Sequence, residues 1–328
     1  MDQLPFVKNV PHDGRAVFLS AYHDTDKHEW FLYAEVEKGK FGRLAGGSCY
    51  RGIYLSTAPE DPERDIEYLL GTFVTQHFSF PGILDAFFRI TSDYHNLACV
   101  LEKFHLISRR PDQQRSASGF LIESEVEYLM LLIRSLYDLI QRFAKNAGTL
   151  VRSPEERSKR MFSNLPNGFA DACLHSNQPI SASEMQRRWG LFPPIATFYE
   201  EEVKHFLKIR AVRDQIAHHG KDIPIIFDLD EGMAVDTTVQ PWSLFDVWQN
   251  QPLTSNALGP LRALLASLIL NAVGLPARFE TAYRSCVATP PAKAPGLRCF
   301  LRDPFGHHLV SLHAYLSKPW ERSNKGNA

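Results

Sequence analysis

Residues 209–220 of this 328-residue chain read IRAVRDQIAHHG. They bring Arg213, Asp214, His218 and His219 together at the end of a helical pattern. Arginine carries a permanent, planar, five-donor charge that matches a phosphate. Histidine exchanges protons near neutral pH. A histidine near a helix C-terminus has its charged form favoured by the dipole. Asp214 precedes His218 by four residues, so both share a helix face, and a carboxylate there stabilises the imidazolium or sets its tautomer. An Arg beside a proton-exchanging His is a minimal kit for cleaving RNA. The His activates the 2′-hydroxyl or protonates the leaving oxygen, and the Arg neutralises charge on the phosphorane-like transition state.

The run Arg213-Asp-Gln-Ile-Ala-His218 resembles the R-x4-6-H motif of the HEPN superfamily, with a polar residue directly after the Arg. The resemblance covers residues 82–275, and only the hexapeptide region is specific. It implies a compact helical bundle with the motif late in the fold, after two long antiparallel helices. It also implies a metal-independent endoribonuclease of the toxin–antitoxin, abortive-infection, CRISPR or RNA-processing kind. Arg213 and His218 would be the catalytic pair, with Asp214 in support and His219 as an accessory. Further implications are an RNA substrate, no cofactor, a homodimer in which two motifs face one composite site, and an antitoxin or regulatory partner. The alternative is a HEPN-like scaffold without catalysis, used for dimerisation or for binding nucleotide or RNA.

The motif's spacing sets a geometric condition. Positions five apart lie about 140° apart on a regular helix. Arg213 and His218 therefore converge only where the helix ends or distorts near 218, or where a second copy supplies the partner. Gly220 is a candidate stop. The plain structural reading pairs Arg213 with a carboxylate and uses His218 as a helix cap.

Other charged residues are accessory candidates. Lys204, Lys208 and Arg210 precede the motif and could track phosphate; a solvated face balanced by Glu200, Glu201 and Glu202 is the favoured reading. Glu127, Arg134 and Asp138 share one face of the preceding long helix, where they either position the motif or form an ion-pair network. Arg109, Arg110 and Arg115 cluster in a polar linker. His307, His308 and His313 have Asp303 as their one nearby carboxylate, so no metal site is expected. Residues 42–48 (GRLAGGS) lack the Lys and Ser/Thr of a phosphate-binding P-loop and read as a hairpin loop. Trp242, Phe245 and Trp248 read as packing under a hairpin. Five cysteines, odd in number and scattered, argue against a disulfide framework and for a reducing compartment.

The elements that position these residues follow from periodicity. Residues 15–56 carry three short apolar runs of strand character, and 62–77 reads as a helix; 1–80 is a small β-rich unit. Apolar residues at three- and four-residue spacing predict helices over 83–107 and 119–147, then from Pro193 to about 218, and over 256–273. Ser153-Pro-Glu-Glu and Ser181-Ala-Ser-Glu are capping boxes. A β-hairpin is expected at about 222–239. The class is α+β, mostly α: a HEPN-like bundle over 81–275 with an inserted hairpin, and a partly irregular extension over 276–328. Basic residues number 36 and acidic 37, and 44% of the chain is apolar. That balance excludes whole-chain disorder and a broad electrostatic coat for nucleic acid. The N-terminus lacks a secretory h-region, and the most apolar stretch, 258–275, is interrupted by polar residues. A cytoplasmic protein without a membrane span is the expectation.

Overall fold

A computed structural model describes residues 20–24, 29–37, 40–47, 51–77, 81–110, 117–148, 164–219, 224–249, 251, 253–287, 289 and 291–321; over 20–47, at 81 and over 215–219 it describes the backbone alone. The protein is mostly helical with small antiparallel sheets. Strands β1 (Ser20–Asp24), β2 (Glu29–Glu37) and β3 (Lys40–Gly47) form one sheet; residues 42–47, expected as a hairpin loop, instead belong to the third strand and pair with β2. β4 (Gly52–Ser56) and β5 (Asp65–Glu67) follow, then helices α1 (Leu69–His77), α2 (Pro81–Ser108) and α3 (Ser118–Gly148). A short α4 (Phe169–Cys173) and the two-residue strands β6 (Leu174–His175) and β7 (Gln178–Pro179) lead to α5 (Ala182–Trp189) and α6 (Pro193–His219). Then come β8 (Phe227–Asp228), β9 (Met233–Asp236), β10 (Leu258–Pro260), α7 (Leu261–Arg284), β11 (Arg298–Arg302), α8 (Gly306–Val310) and α9 (Leu312–Ser317).

The long helices form where the apolar spacing demands them. On α3, Ile122, Val126, Leu129, Met130, Ile133, Leu136, Tyr137, Ile140 and Phe143 are all buried. On α2 the buried stripe runs through Ile83, Phe87, Ile90, Tyr94, Leu97, Leu101 and Phe104, while Phe88 stays half-exposed. Helices α2, α3, α6 and α7 pack round one core. Buried tyrosines staple them together. Tyr94 donates to the Val273 carbonyl at 2.5 Å, Tyr283 to the Ala147 carbonyl at 3.1 Å and Tyr199 to Gln141 at 2.5 Å. Each hydroxyl satisfies a group that would cost about 1–3 kcal/mol if buried unpaired. Ser181 accepts from the Glu184 N–H at 3.3 Å and so caps α5, while the Glu184 carboxylate pairs with Arg187 and Arg188 instead of closing the box; the first box, at 153–156, lies outside the described residues.

Three further expectations need correction. Residues 65–67 are a strand and the helix begins at Leu69. The cause is tertiary: the Asp65 carboxylate accepts from Tyr54 at 2.6 Å and from Arg302 at 2.7 Å in a buried cluster, which holds the segment extended against β11. The helix expected to stop at 273 does not. Helix α7 runs on through Pro276 to Arg284, because burial of Leu275, Phe279 and Tyr283 outweighs the hydrogen bond that proline removes. It is the one described helix long and apolar enough to cross a membrane, and 56% of its apolar window is packed inside the protein. Thirdly, β11 pairs with β4 on one edge and β5 on the other, so the C-terminal segment supplies the central strand of the sheet that the N-terminal unit begins. Gly71 lets α1 approach that strand, since a Cβ there would meet the Cys299 sulfur at 2.8 Å. The expected hairpin is present as β8–β9 and gains β10 as a third strand. Trp242, Phe245 and Trp248 are buried as the packing reading required.

Candidate active site

Helix α6 carries the motif. Its backbone stays helical through His219, so the helix does not end at 218 and positions 213 and 218 remain about 140° apart. Residues 215–219 are described by backbone alone, and Gly220 lies outside the described residues; the side chains of His218 and His219 are thus known only by helical position.

Arg213 donates from Nη1 to Asp214 Oδ1 at 2.9 Å, and Asp214 also accepts from Arg210 Nε at 3.3 Å. Burial pushes the Asp214 carboxyl up, but the two guanidinium groups prevail and hold it below the ordinary aspartate value. Arg210 reaches on to Asn177 Oδ1 at 3.2 Å, in the turn between β6 and β7. The other basic residues do not gather there. Lys208 pairs with Asp246 at 3.0 Å, and Lys204 is exposed one turn before it on the same face. Of the three glutamates expected to balance them, Glu202 is buried, where it pairs with Arg278 and accepts from Tyr137 at 3.2 Å.

Arg213 does meet part of the α3 trio. An open cleft of about 430 Å³ lies between α2, α3 and α6, lined by Arg89 and Asp93, by Arg134, Asp138 and Arg142, and by Arg213. Ser92, Ser135, Leu131 and Leu139 complete its walls. Arg134 pairs with Asp138 at 2.7 Å and stacks its guanidinium 4.5 Å from the Phe206 ring, which fixes its direction. Asp138 also accepts from the Phe169 N–H at 3.1 Å, at the first residue of α4. Glu127, two turns earlier, is half-buried and does not line the cleft. Arg109 and Arg110 are described but lie outside the cleft, and Arg115 is outside the described residues.

Sequence reasoning missed Asp93. One of its carboxylate oxygens is buried with no hydrogen-bond partner. Burial raises its pKa to about 6, with the Ser135 hydroxyl offsetting part of that. The only linear signal was its place four residues after Arg89, which is also how an ordinary solvated helix face looks.

The cleft's charges are balanced. Arg89 pairs with Asp85 at 3.1 Å, Arg142 approaches the same carboxylate at 3.8 Å, and Arg134 and Arg213 each have an aspartate. Four arginines thus face Asp85, Asp93, Asp138 and Asp214, and the sum turns positive when Asp93 takes a proton. Such a site can hold an anionic group by exchanging exposed ion pairs, each worth well under about 1 kcal/mol, for bidentate guanidinium contacts.

Three of the described thiols are quiet. Burial pushes the Cys173 thiol up to about 12 and Cys286 up to about 11, and raises Cys299 as well. Asp303 is engaged by His95 at 2.7 Å and Arg51 at 3.0 Å, not by the histidines near it in sequence. No family model, curated protein or solved structure matches the chain.

Proposed function

We propose that this chain is a HEPN-like, metal-independent endoribonuclease acting on RNA in the cytoplasm, with the cleft between α2, α3 and α6 as the seat of the scissile phosphate. The observation that carries the reading is the meeting of the motif residue Arg213 with Arg89, Arg134 and Arg142 round one open cleft. Arg213 binds the phosphate and stabilises transition-state charge. His218 is the general acid and base. Asp214 holds Arg213 by its ion pair, and Asp93 sets the charge of the cleft through its own protonation.

Because α6 continues past 218, the histidine that serves one Arg213 comes from a second copy. A homodimer through the long helices supplies it. Leu121, Tyr128 and Leu131 are exposed along one face of α3, and Leu131 also borders the cleft, so an apolar contact there would bring a second α6 to the site. An antitoxin or regulatory protein that covers this face would control the activity.

The test is cleavage of RNA by the purified chain in EDTA. The expected products end in 2′,3′-cyclic phosphate, and His218→Ala and Arg213→Ala each abolish them while the fold persists by circular dichroism. Undiminished cleavage by either variant overturns the assignment. A second reading, a non-catalytic HEPN-like scaffold, has one observation in its favour, the pairing of Arg213 with its own neighbour Asp214. It predicts RNA binding or dimerisation without cleavage.

A further inference from the structure

Away from the cleft, the far end of α2 meets the C-terminal segment through a cluster of donors. Glu102 of α2 and His307 and His308 of α8 each offer one ligand atom, and the three atoms lie within 4.8 Å of one another. We propose that Glu102, His307 and His308 form a binding site for a divalent transition metal of the zinc class, which fastens the C-terminal segment to α2.

Two imidazoles and one carboxylate are the donor set of three-ligand zinc sites, with a fourth position left to water. In such a site the ligand atoms stand about 2.0–2.2 Å from the metal and therefore about 3.3 Å from each other. His308 Nε2 already lies 2.6 Å from Glu102 Oε2. Opening that contact by under about 1 Å admits an ion. The half-buried His307 ring, 4.1 Å from that of His308 between centroids, swings in to complete the set. His105, one turn after Glu102, stands edge-on to His308 at 5.5 Å and walls the site.

The cluster is held in place from behind. His308 Nδ1 is 2.6 Å from the Tyr315 hydroxyl, the outer contact that fixes a ligating imidazole's orientation and leaves Nε2 for the ion. His308 is 2% exposed, so its ring has little freedom to leave. The approach of α8 is set by Gly306, where a Cβ would stand 2.0 Å from the Arg64 carbonyl oxygen. It is also set by Asp303, which accepts from the Phe305 N–H at 2.7 Å while His95 of α2 holds its other oxygen. These contacts place His308 and the α8 backbone before any ion arrives, leaving His307 to turn in. Arg262, stacked 5.2 Å from Tyr315, adds a positive charge behind His308 that weakens a dication's hold.

The test uses the full chain, untagged and stripped with EDTA. Calorimetric titration with zinc chloride should show one equivalent bound at micromolar affinity, and the melting temperature should rise with zinc. Cobalt(II) in its place should give the visible absorption of a tetrahedral N/O site. His307→Ala, which removes a ring packed at a tilt against His308, should weaken zinc at least ~10-fold. Glu102→Gln keeps a hydrogen bond to His308 and should do the same. His313→Ala, at an exposed histidine outside the cluster, should bind as the parent does. Absence of a stoichiometric site overturns the proposal, as does zinc binding that survives both cluster variants or is lost in His313→Ala. None of these readouts depends on nuclease activity.

Discussion

Replacing Asp93 with asparagine tests the reading of the cleft most directly, because it predicts a gain. In the folded chain this carboxyl is moved from its ordinary 3.8 to about 6 by burial. A folded-state pKa above the unfolded one means that the native state binds the proton more tightly. The group therefore costs nothing below about pH 4, where both states are protonated, and its cost grows as the pH rises through the folded value. A displacement of this size corresponds to at most about 3 kcal/mol at neutral pH. The cleft is open to water, which cuts the figure to ~1–2 kcal/mol. The asparagine amide would be neutral at every pH and would escape the cost. Urea unfolding of parent and Asp93→Asn should therefore agree near pH ~4 and diverge by ~1–2 kcal/mol near pH ~7.5, with the variant more stable. The substitution also leaves the four cleft arginines one carboxylate short, so single-stranded RNA should bind several-fold more tightly at neutral pH. A variant less stable than the parent at neutral pH, or one whose advantage is the same near pH ~4, would refute the reasoning, since neither result is compatible with a buried carboxylate that no cation neutralises.

Two further perturbations probe the scaffold. Burial, with help from Arg278 and Lys208, lowers the His205 pKa to about 4. The unfolded state then gains protons first on acidification, and stability falls between about pH 6.5 and 4, by at most about 3 kcal/mol. His205→Phe should flatten that acid limb in unfolding curves, and an unchanged slope would show that His205 is solvated. The Asp65–Arg302 pair is buried on both sides, with side-chain exposures of 0% and 7%. Removing one partner, as in Asp65→Asn or Arg302→Met, should cost about 3–5 kcal/mol in denaturant unfolding, and the double variant should recover much of it. Additive losses would show that the two residues act independently.

The sequence made the long helices legible because their signal is local and repeated. Helices α2, α3 and α6 each begin and end within about two residues of where apolar spacing put them. What it hid depends on partners distant in the chain. Residues 65–67 carry no strand pattern of their own; Arg302, 237 positions away, makes them a strand. Pro276 argues locally for a helix end, and only the buried Leu275 and Phe279 on either side explain why α7 ignores it. The hexapeptide Arg213–His218 was legible as a motif. Asp93 was not, because an aspartate one turn from an arginine looks the same in the sequence whether its carboxylate faces water or an orphaned corner of a cleft. Glu102 was missed beside His307 and His308 for a related reason, since Glu102 and His308 lie 206 residues apart and are joined by tertiary packing alone.

The balance of 36 basic against 37 acidic residues acquires a local meaning at the cleft. Arg89, Arg134, Arg142 and Arg213 all stand beside aspartates. Because the pairs at Arg89, Arg142 and Arg213 are largely solvent-exposed, each holds its arginine weakly, whereas Arg134 is fixed against Phe206. A phosphate that offers two oxygens to a guanidinium competes well at one such pair, whereas a chain of phosphates tracking a broad surface would need an unpaired basic stripe, and Lys208, turned away to Asp246, does not provide one. The charge pattern therefore favours engagement of a short stretch of backbone at one place over general affinity for RNA. On the proposed reading, specificity rests on what a second copy adds to the cleft and on the protonation of Asp93, whose carboxyl burial raises to about 6.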